Sequence, residues 1–133
     1  MENLNNYLKN IFDLFKNNEF EKALELCEQN NQKKINHIIY NFKGAIYLKK
    51  KKLIKAEECF LGSIKFNKDF IDPYKNLFII YNNNKKFNNL LEIAFKILEF
   101  DKKNPIYNFQ TGFALEKNGY LSSSIEYYEK AYA

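Results

Sequence analysis

Apolar residues recur at three- and four-residue intervals along nearly the whole chain, and short polar tracts interrupt them. Leu4, Tyr7, Leu8, Ile11, Phe12, Leu14 and Phe15 give a broad apolar face and predict a helix over Asn3 to Lys16. Asn17-Asn18 breaks it. Phe20, Ala23, Leu24 and Cys27 form a second stripe, which ends at the polar tract Glu28 to Lys34. The next two stripes are Tyr40, Gly44, Tyr47 and Leu48, then Leu53, Ala56, Phe60 and Ile64, with Lys49 to Lys52 at the turn between them. That lysine run reads as a solvated loop; its other reading is a basic docking patch.

Asp72-Pro73 opens the third pair, with Asp as N-cap and Pro in the first turn, where its missing N–H is not needed. Tyr74, Leu77, Phe78 and Tyr81 follow on one face. Asn82 to Lys86 is the turn, and Phe87, Leu90, Leu91, Ala94, Ile97 and Leu98 make the next helix. Asn104-Pro105 opens the fourth pair. Phe109, Gly112, Phe113 and Leu115 carry its first helix, and Asn118-Gly119 ends it, glycine suiting a left-handed C-cap. Leu121, Ser124, Ile125, Tyr128 and Ala131 carry the last helix, with Ser123-x-x-Glu126 as a capping box.

These pairs repeat. Tyr40 to Tyr74 is 34 residues, Ala56 to Leu90 is 34, Gly44 to Gly112 is 68 and Ala23 to Ala56 is 33. Within the second pair the order is aromatic Tyr40, small Gly44, Tyr47, then Ala56 and Phe60. In period and in these positions the chain resembles the tetratricopeptide repeat (TPR) family. The leading aromatic recurs as Tyr7, Tyr40 and Tyr74, with Asn108 departing. Gly44 and Gly112 keep the first small position, where Ile11 and Phe78 are larger. Ala23, Ala56 and Ser124 keep the second, where Leu90 is larger and Ala94 compensates for it. The closing residue of each first helix is Leu14, Tyr47, Tyr81 or Leu115, and the family's terminal proline is missing.

The physical logic is close approach: two helices pack tightly only where a side chain is small, and a single hairpin cannot bury its own apolar face. The resemblance therefore implies an all-α fold, a right-handed superhelical α-solenoid of about four helix–turn–helix repeats (about 4–36, 37–70, 71–104 and 105–133) in one domain. The sequence ends at Ala133, just after the fourth unit, without the polar capping helix usual in the family. The expectation is a piece of a longer protein, or an end that meets another molecule.

Composition narrows the function. The chain has 133 residues, 46% of them hydrophobic, which excludes a disordered chain. The net charge is +5, and every basic residue is lysine. Without arginine's bidentate contacts, nucleic acid is disfavoured as a partner. The excess of Asn and Lys fits an AT-rich genome. Two cysteines, Cys27 and Cys59, suggest buried thiols in a reducing compartment, so a cytoplasmic location is expected. No apolar run approaches a membrane span, and MENLNNYLKN lacks a signal-peptide core.

Nothing in the sequence points to catalysis. The one histidine, His37, reads as a surface or capping residue ahead of its helix, and Ser122 to Ser124 as helix capping. The two cysteines and one histidine make a poor zinc set, and there is no phosphate loop or dinucleotide turn. No enzyme activity, metal or cofactor is expected.

Binding remains. The resemblance places the first helices on a concave surface. The candidate peptide-binding residues are Asn5, Lys9 and Phe12; Ile38, Asn41, Phe42, Ala45 and Lys49; Lys75, Asn76, Ile79 and Asn83; and Phe109, Gln110, Phe113 and Lys117. Asn and Gln amides pair with a peptide backbone, Phe rings offer pockets and Lys favours acidic segments; the plainer reading is that several Phe rings pack between helices. TPR domains that clamp a chaperone's C-terminal carboxylate use a Lys/Asn/Asn/Lys/Arg set. Here those positions read Leu8, Phe12, Phe42, Asp72 and Asn76, or Asn41, Ala45, Asn76, Ile106 and Gln110, so no such clamp is expected. The expected function is a protein-interaction scaffold that binds a partner peptide or helix. The alternatives are a module that self-associates through its C-terminal end and, further off, a nucleic-acid-binding repeat.

Overall fold

Each run of three-and-four spacing folds as a helix. The computed structural model describes residues 3–133. In order, its α-helices are α1 (Leu4–Lys16), α2 (Phe20–Glu28), α3 (Asn36–Lys49), α4 (Leu53–Phe66), α5 (Asp72–Asn83), α6 (Phe87–Phe100), α7 (Pro105–Lys117) and α8 (Leu121–Ala131). The polar tract after α2 is not wholly irregular, since Lys33–Ile35 forms one 3-10 turn whose Ile35 is buried. The chain divides into two compact units, one running to Pro73 and the other Tyr74–Ala133.

The turns inside the pairs α1–α2, α3–α4, α5–α6 and α7–α8 share one design. Glu19, Lys52, Lys86 and Tyr120 donate their N–H to the carbonyls of Leu14, Tyr47, Tyr81 and Leu115, each at 2.9 Å. The residue just before each donor, Asn18, Lys51, Lys85 or Gly119, has positive φ (62°, 61°, 58° and 84°) and donates to the carbonyl three residues back. This is the Schellman motif, which satisfies carbonyls that a helix end leaves open. Only Gly119 and the asparagine pair announced it in sequence. Lysine carries it twice, although an L-side chain pays roughly 1–2 kcal/mol in this region.

In the first unit, Tyr7, Ile11, Ala23, Cys27, Ile35, Ile39 and Ile46 form a buried cluster, and the Tyr7 hydroxyl donates to the Leu26 carbonyl. In α3–α4 the helices approach at Gly44. A Cβ there would lie 2.6 Å from the Phe60 ring. A second close approach was not foreseen, at Gly62, where a Cβ would lie 2.9 Å from the Tyr40 ring. Tyr40 also packs on Phe66 at 5.1 Å. The Ser63 hydroxyl, fully buried, donates to the His37 carbonyl at 2.6 Å.

In the second unit, Tyr74, Leu77, Phe78 and Tyr81 of α5 are buried, as are Leu90, Ala94, Ile97 and Leu98 of α6. Tyr74 meets Phe100 edge-on at 5.3 Å. Leu90 and Ala94 are both fully buried, as the large-for-small exchange requires. In α7–α8 a Cβ on Gly112 would lie 2.8 Å from Tyr128 and 3.1 Å from the Ser124 carbonyl.

Three local expectations are corrected. Helix α8 starts at Leu121, with Tyr120 at the N-cap and no side-chain cap. Ser123 is therefore inside the helix and forms no capping box, and Ser124 is buried at the close approach, its hydroxyl donating to the Leu121 carbonyl at 2.7 Å. His37 does not precede its helix; it lies in the first turn of α3 with its ring edge-on to Phe70 at 5.0 Å. Asp72 is the first residue of α5 and lies within its first turn rather than before it. At α7, by contrast, Asn104 caps as expected, accepting from the N–H of Ile106 and Tyr107 at 2.9 and 3.2 Å.

Candidate functional site

The candidate residues lie on the odd-numbered helices, and each unit presents its own set. On α1, Asn5, Lys9 and Phe12 follow one another at turn spacing and all three are exposed. Lys9 pairs with Asp13 at 2.8 Å. Phe12 is 45% exposed, and the Lys16 ammonium lies 5.5 Å from its ring. On α3, Asn41, Phe42 and Ala45 are half-buried and Lys49 is exposed. Ile38 and Phe42 pack against the core of this unit, so their apolar surface is largely committed to folding.

The second unit leaves more apolar surface open. On α5, Lys75, Ile79 and Asn83 are exposed and Asn76 is half-buried. Ile79 is 48% exposed, large for an isoleucine on a helix with so many buried neighbours. The Lys75 ammonium lies 5.5 Å from the Tyr107 ring, which ties α5 to α7. On α7, Phe109 is 43% exposed and leans on Tyr128 at 5.3 Å. Phe113 is half-buried beneath the Lys117 ammonium, at 5.2 Å, and that ammonium also lies 6.0 Å from the Phe87 ring. These lysines lie over aromatic faces, which fixes their stems while the charge stays near water.

Gln110 stands out within this set. Its Oε1 is covered and has no hydrogen-bond partner. Leaving such an acceptor unpaired costs about 1–3 kcal/mol. The glutamine side chain is flexible, and a donor brought by a ligand would recover that energy. Sequence gave no means of seeing this, because an amide's pairing depends on its rotamer.

The remaining polar groups are structural in character. Burial pushes the Cys27 thiol up to about 12, and burial likewise raises Cys59. Both stay protonated near neutrality and are poor nucleophiles. Burial draws Lys43 down, but its 2.7 Å pairing with Glu28 outweighs this and leaves it raised. Lys50, from the lysine run, bonds to Glu21, and that hydrogen bond and charge hold the exposed Glu21 carboxyl below its ordinary value. The run is thus partly engaged within the chain. Among the described residues, no three His, Cys, Asp or Glu side chains gather as metal ligands would, and no helix is long and apolar enough to cross a membrane.

No family profile and no curated protein sequence matches the chain. Solved structures do. A crystal structure of MamA aligns over 97% of this chain and 76% of its own, with a TM-score of 0.80 and 18% identity. MamA from MSR-1 aligns over 94% of this chain and 72% of its own, at TM-score 0.71 and 21% identity. YrrB, described as a TPR protein with an unusual peptide-binding site, aligns over 94% of this chain and 65% of its own, at TM-score 0.78 and 18% identity. At these identities the likeness is one of fold, and it agrees with the helix pairs and their turns: this chain is an all-helical α-solenoid of the tetratricopeptide type.

Proposed function

We propose that the protein is a non-catalytic interaction scaffold that binds a segment of a partner polypeptide along the exposed faces of its odd-numbered helices. The observation that carries the reading is the α5–α7 face. There Ile79 and Phe109 are each more than two-fifths exposed, and Gln110 holds an unpartnered acceptor. Lys75 and Lys117 flank them. Apolar anchors with amide groups between them suit an extended or helical peptide, and the lysines favour acidic residues in it. The peptide-binding site named for YrrB supports this class of function. The first unit carries residues of the same kinds on its own odd-numbered helices, Asn5, Lys9, Phe12, Asn41, Ala45 and Lys49, and Phe42 contributes chiefly to packing.

The test is selection of peptides from a displayed random library, followed by calorimetric titration of the winners. Ile79→Asp and Phe109→Ala should each weaken binding by about tenfold, or about 1.4 kcal/mol, while Leu121→Ala on α8 should not. Selected peptides that bind both α5–α7 variants as tightly as the parent would end this reading.

A second reading, self-association, draws on α8, where Leu121 is 62% exposed, Ile125 56% and the following Tyr132 79%. Sedimentation at high concentration separates the two. A concentration-dependent dimer abolished by Ile125→Glu supports self-association, and a strict monomer removes it.

A further inference from the structure

The fourth pair breaks the aromatic series at Asn108, and the structure shows what that opens. In the second pair Tyr40 lays its ring against the backbone of α4 at Gly62. Two periods on, the corresponding residues are Asn108 and Lys130. The short amide of Asn108 cannot fill the space of a tyrosine ring, and a cleft of about 340 Å³ remains among α6, α7 and α8, lined by both residues. That volume is at the lower end of the range for ligand pockets.

The cleft is built with specific chemistry. Asn108 is only 2% exposed. Its Nδ2 donates to the Lys102 carbonyl at 2.9 Å and the Asn104 carbonyl at 3.0 Å. Those two bonds fix the amide's orientation, since the flipped amide would set oxygen against two carbonyls. They leave Oδ1 as a buried acceptor with no partner. One wall is apolar, formed by Leu98 and by Phe95, which meets Tyr127 edge-on at 6.0 Å. The rim carries two cations. Lys130 lies 4.5 Å from the Tyr127 ring and shares Glu126 at 3.5 Å. Lys102 has no ion pair among the described residues. Glu99 is also on the rim, which favours a single negative charge over a run of them.

A matching ligand must supply an N–H or O–H donor, one apolar group and one anion. An inorganic anion brings no apolar group, and a hydrocarbon chain brings neither donor nor charge. We propose that this cleft is a second binding site, distinct from the α5–α7 face, for a short extended segment of a partner polypeptide. A backbone N–H of the segment is donated to Asn108 Oδ1. An apolar side chain rests against Leu98, Phe95 and Tyr127, and an adjacent carboxylate pairs with Lys102 and Lys130.

The probe is the blocked dipeptide acetyl-Leu-Asp-amide, titrated to several millimolar into the isotopically labelled full chain and followed by amide NMR shifts. Acetyl-Leu-Lys-amide is the charge control. The expected result is saturable shifts centred on Phe95, Leu98, Lys102 and the Asn108 side-chain amide, with the aspartate probe favoured. Asn108→Tyr, which restores the aromatic of the other pairs, should abolish them. If that variant does not fold, Lys102→Ala combined with Lys130→Ala, both exposed in the parent, should remove the preference for aspartate over lysine. The proposal is overturned by an absence of saturable shifts, by shifts centred on Ile79, Phe109 and Phe113 instead, or by an aspartate preference that persists without the two lysines.

Discussion

The α3–α4 and α7–α8 hairpins have the same turn, the same spacing and the same glycine, yet they use the space behind that glycine differently. In α3–α4 the ring facing Gly44 is Phe60, fully buried. In α7–α8 the ring facing Gly112 is Tyr128, half-buried, with its hydroxyl donating to Glu116 at 2.7 Å. The contrast holds one turn away, where Tyr40 packs on Gly62 and Asn108 leaves a cleft. One hairpin spends its aromatic residues on core and the other keeps polar atoms at the same places. A repeat can thus hold its backbone constant while individual members are released from packing.

The largest expected difference is in truncation of the two rings. Phe60→Ala should cost about 3–5 kcal/mol, because it empties a closed site. Tyr128→Ala should cost about 1–2 kcal/mol, because solvent already reaches the ring and the site can collapse. Urea denaturation followed by circular dichroism measures both, and equal costs would mean the hairpins are not differently packed.

Smaller effects are expected at the glycines. In Gly44→Ala the new Cβ meets a ring with nowhere to go, 2.6 to 2.9 Å away. Overpacking should exceed the gain in helix propensity and leave a net loss of about 1–3 kcal/mol. Gly112→Ala should lose less, about 1 kcal/mol, since Tyr128 can swing outward, although the Ser124 carbonyl at 3.1 Å cannot. The same denaturation series ranks them, and a larger loss at Gly112 would reverse the assignment of the rigid hairpin.

The gentlest comparison is by alkali. Burial raises the Cys27 thiol from 9.0 to about 12, so the unfolded chain gives up this proton first. Its stabilisation is whole below pH 9 and is lost as the pH climbs to about 12. Tyr128 is raised from 10.0 to about 12, by burial and then by its bond to Glu116, so its contribution fades over a window that opens one unit higher. Urea midpoints measured against pH should therefore flatten at the lower edge in Cys27→Ala and only above pH 10 in Tyr128→Phe.

Much of the fold was legible because helical periodicity and a fixed period are local signals. The extent of α1, the breaks between helices and the close approach at Gly44 all follow from residue type and spacing. What escaped depends on contacts that no local rule encodes. Gly62 lies in the middle of α4, where glycine has no helical purpose until Tyr40 is laid against it. Lys51 and Lys85 adopt a left-handed backbone that lysine rarely chooses, because the two helices beyond them fix the turn. The capping box failed because Ser122 to Ser124 already lie within the first turn of α8, past its N-cap, where Ser124 serves packing. The departure at Asn108 was visible as a letter, but its consequence rested on two loop carbonyls. The candidate face was read as a set of positions. Which of them are open, such as Phe109 and Ile79, and which are committed, such as Phe42, required the packing of each unit.

The left-handed residues at Asn18, Lys51, Lys85 and Gly119 recur every 33 or 34 positions with one shared pair of hydrogen bonds. Those points are interchangeable joints. A copy of residues 51–84 begins in the backbone geometry in which Lys85 continues, so tandem duplication of that stretch would lengthen the protein by one hairpin without reworking either splice. Copy number, rather than any altered side chain, is then the simplest route by which evolution or an engineer changes how many helix pairs such a chain carries.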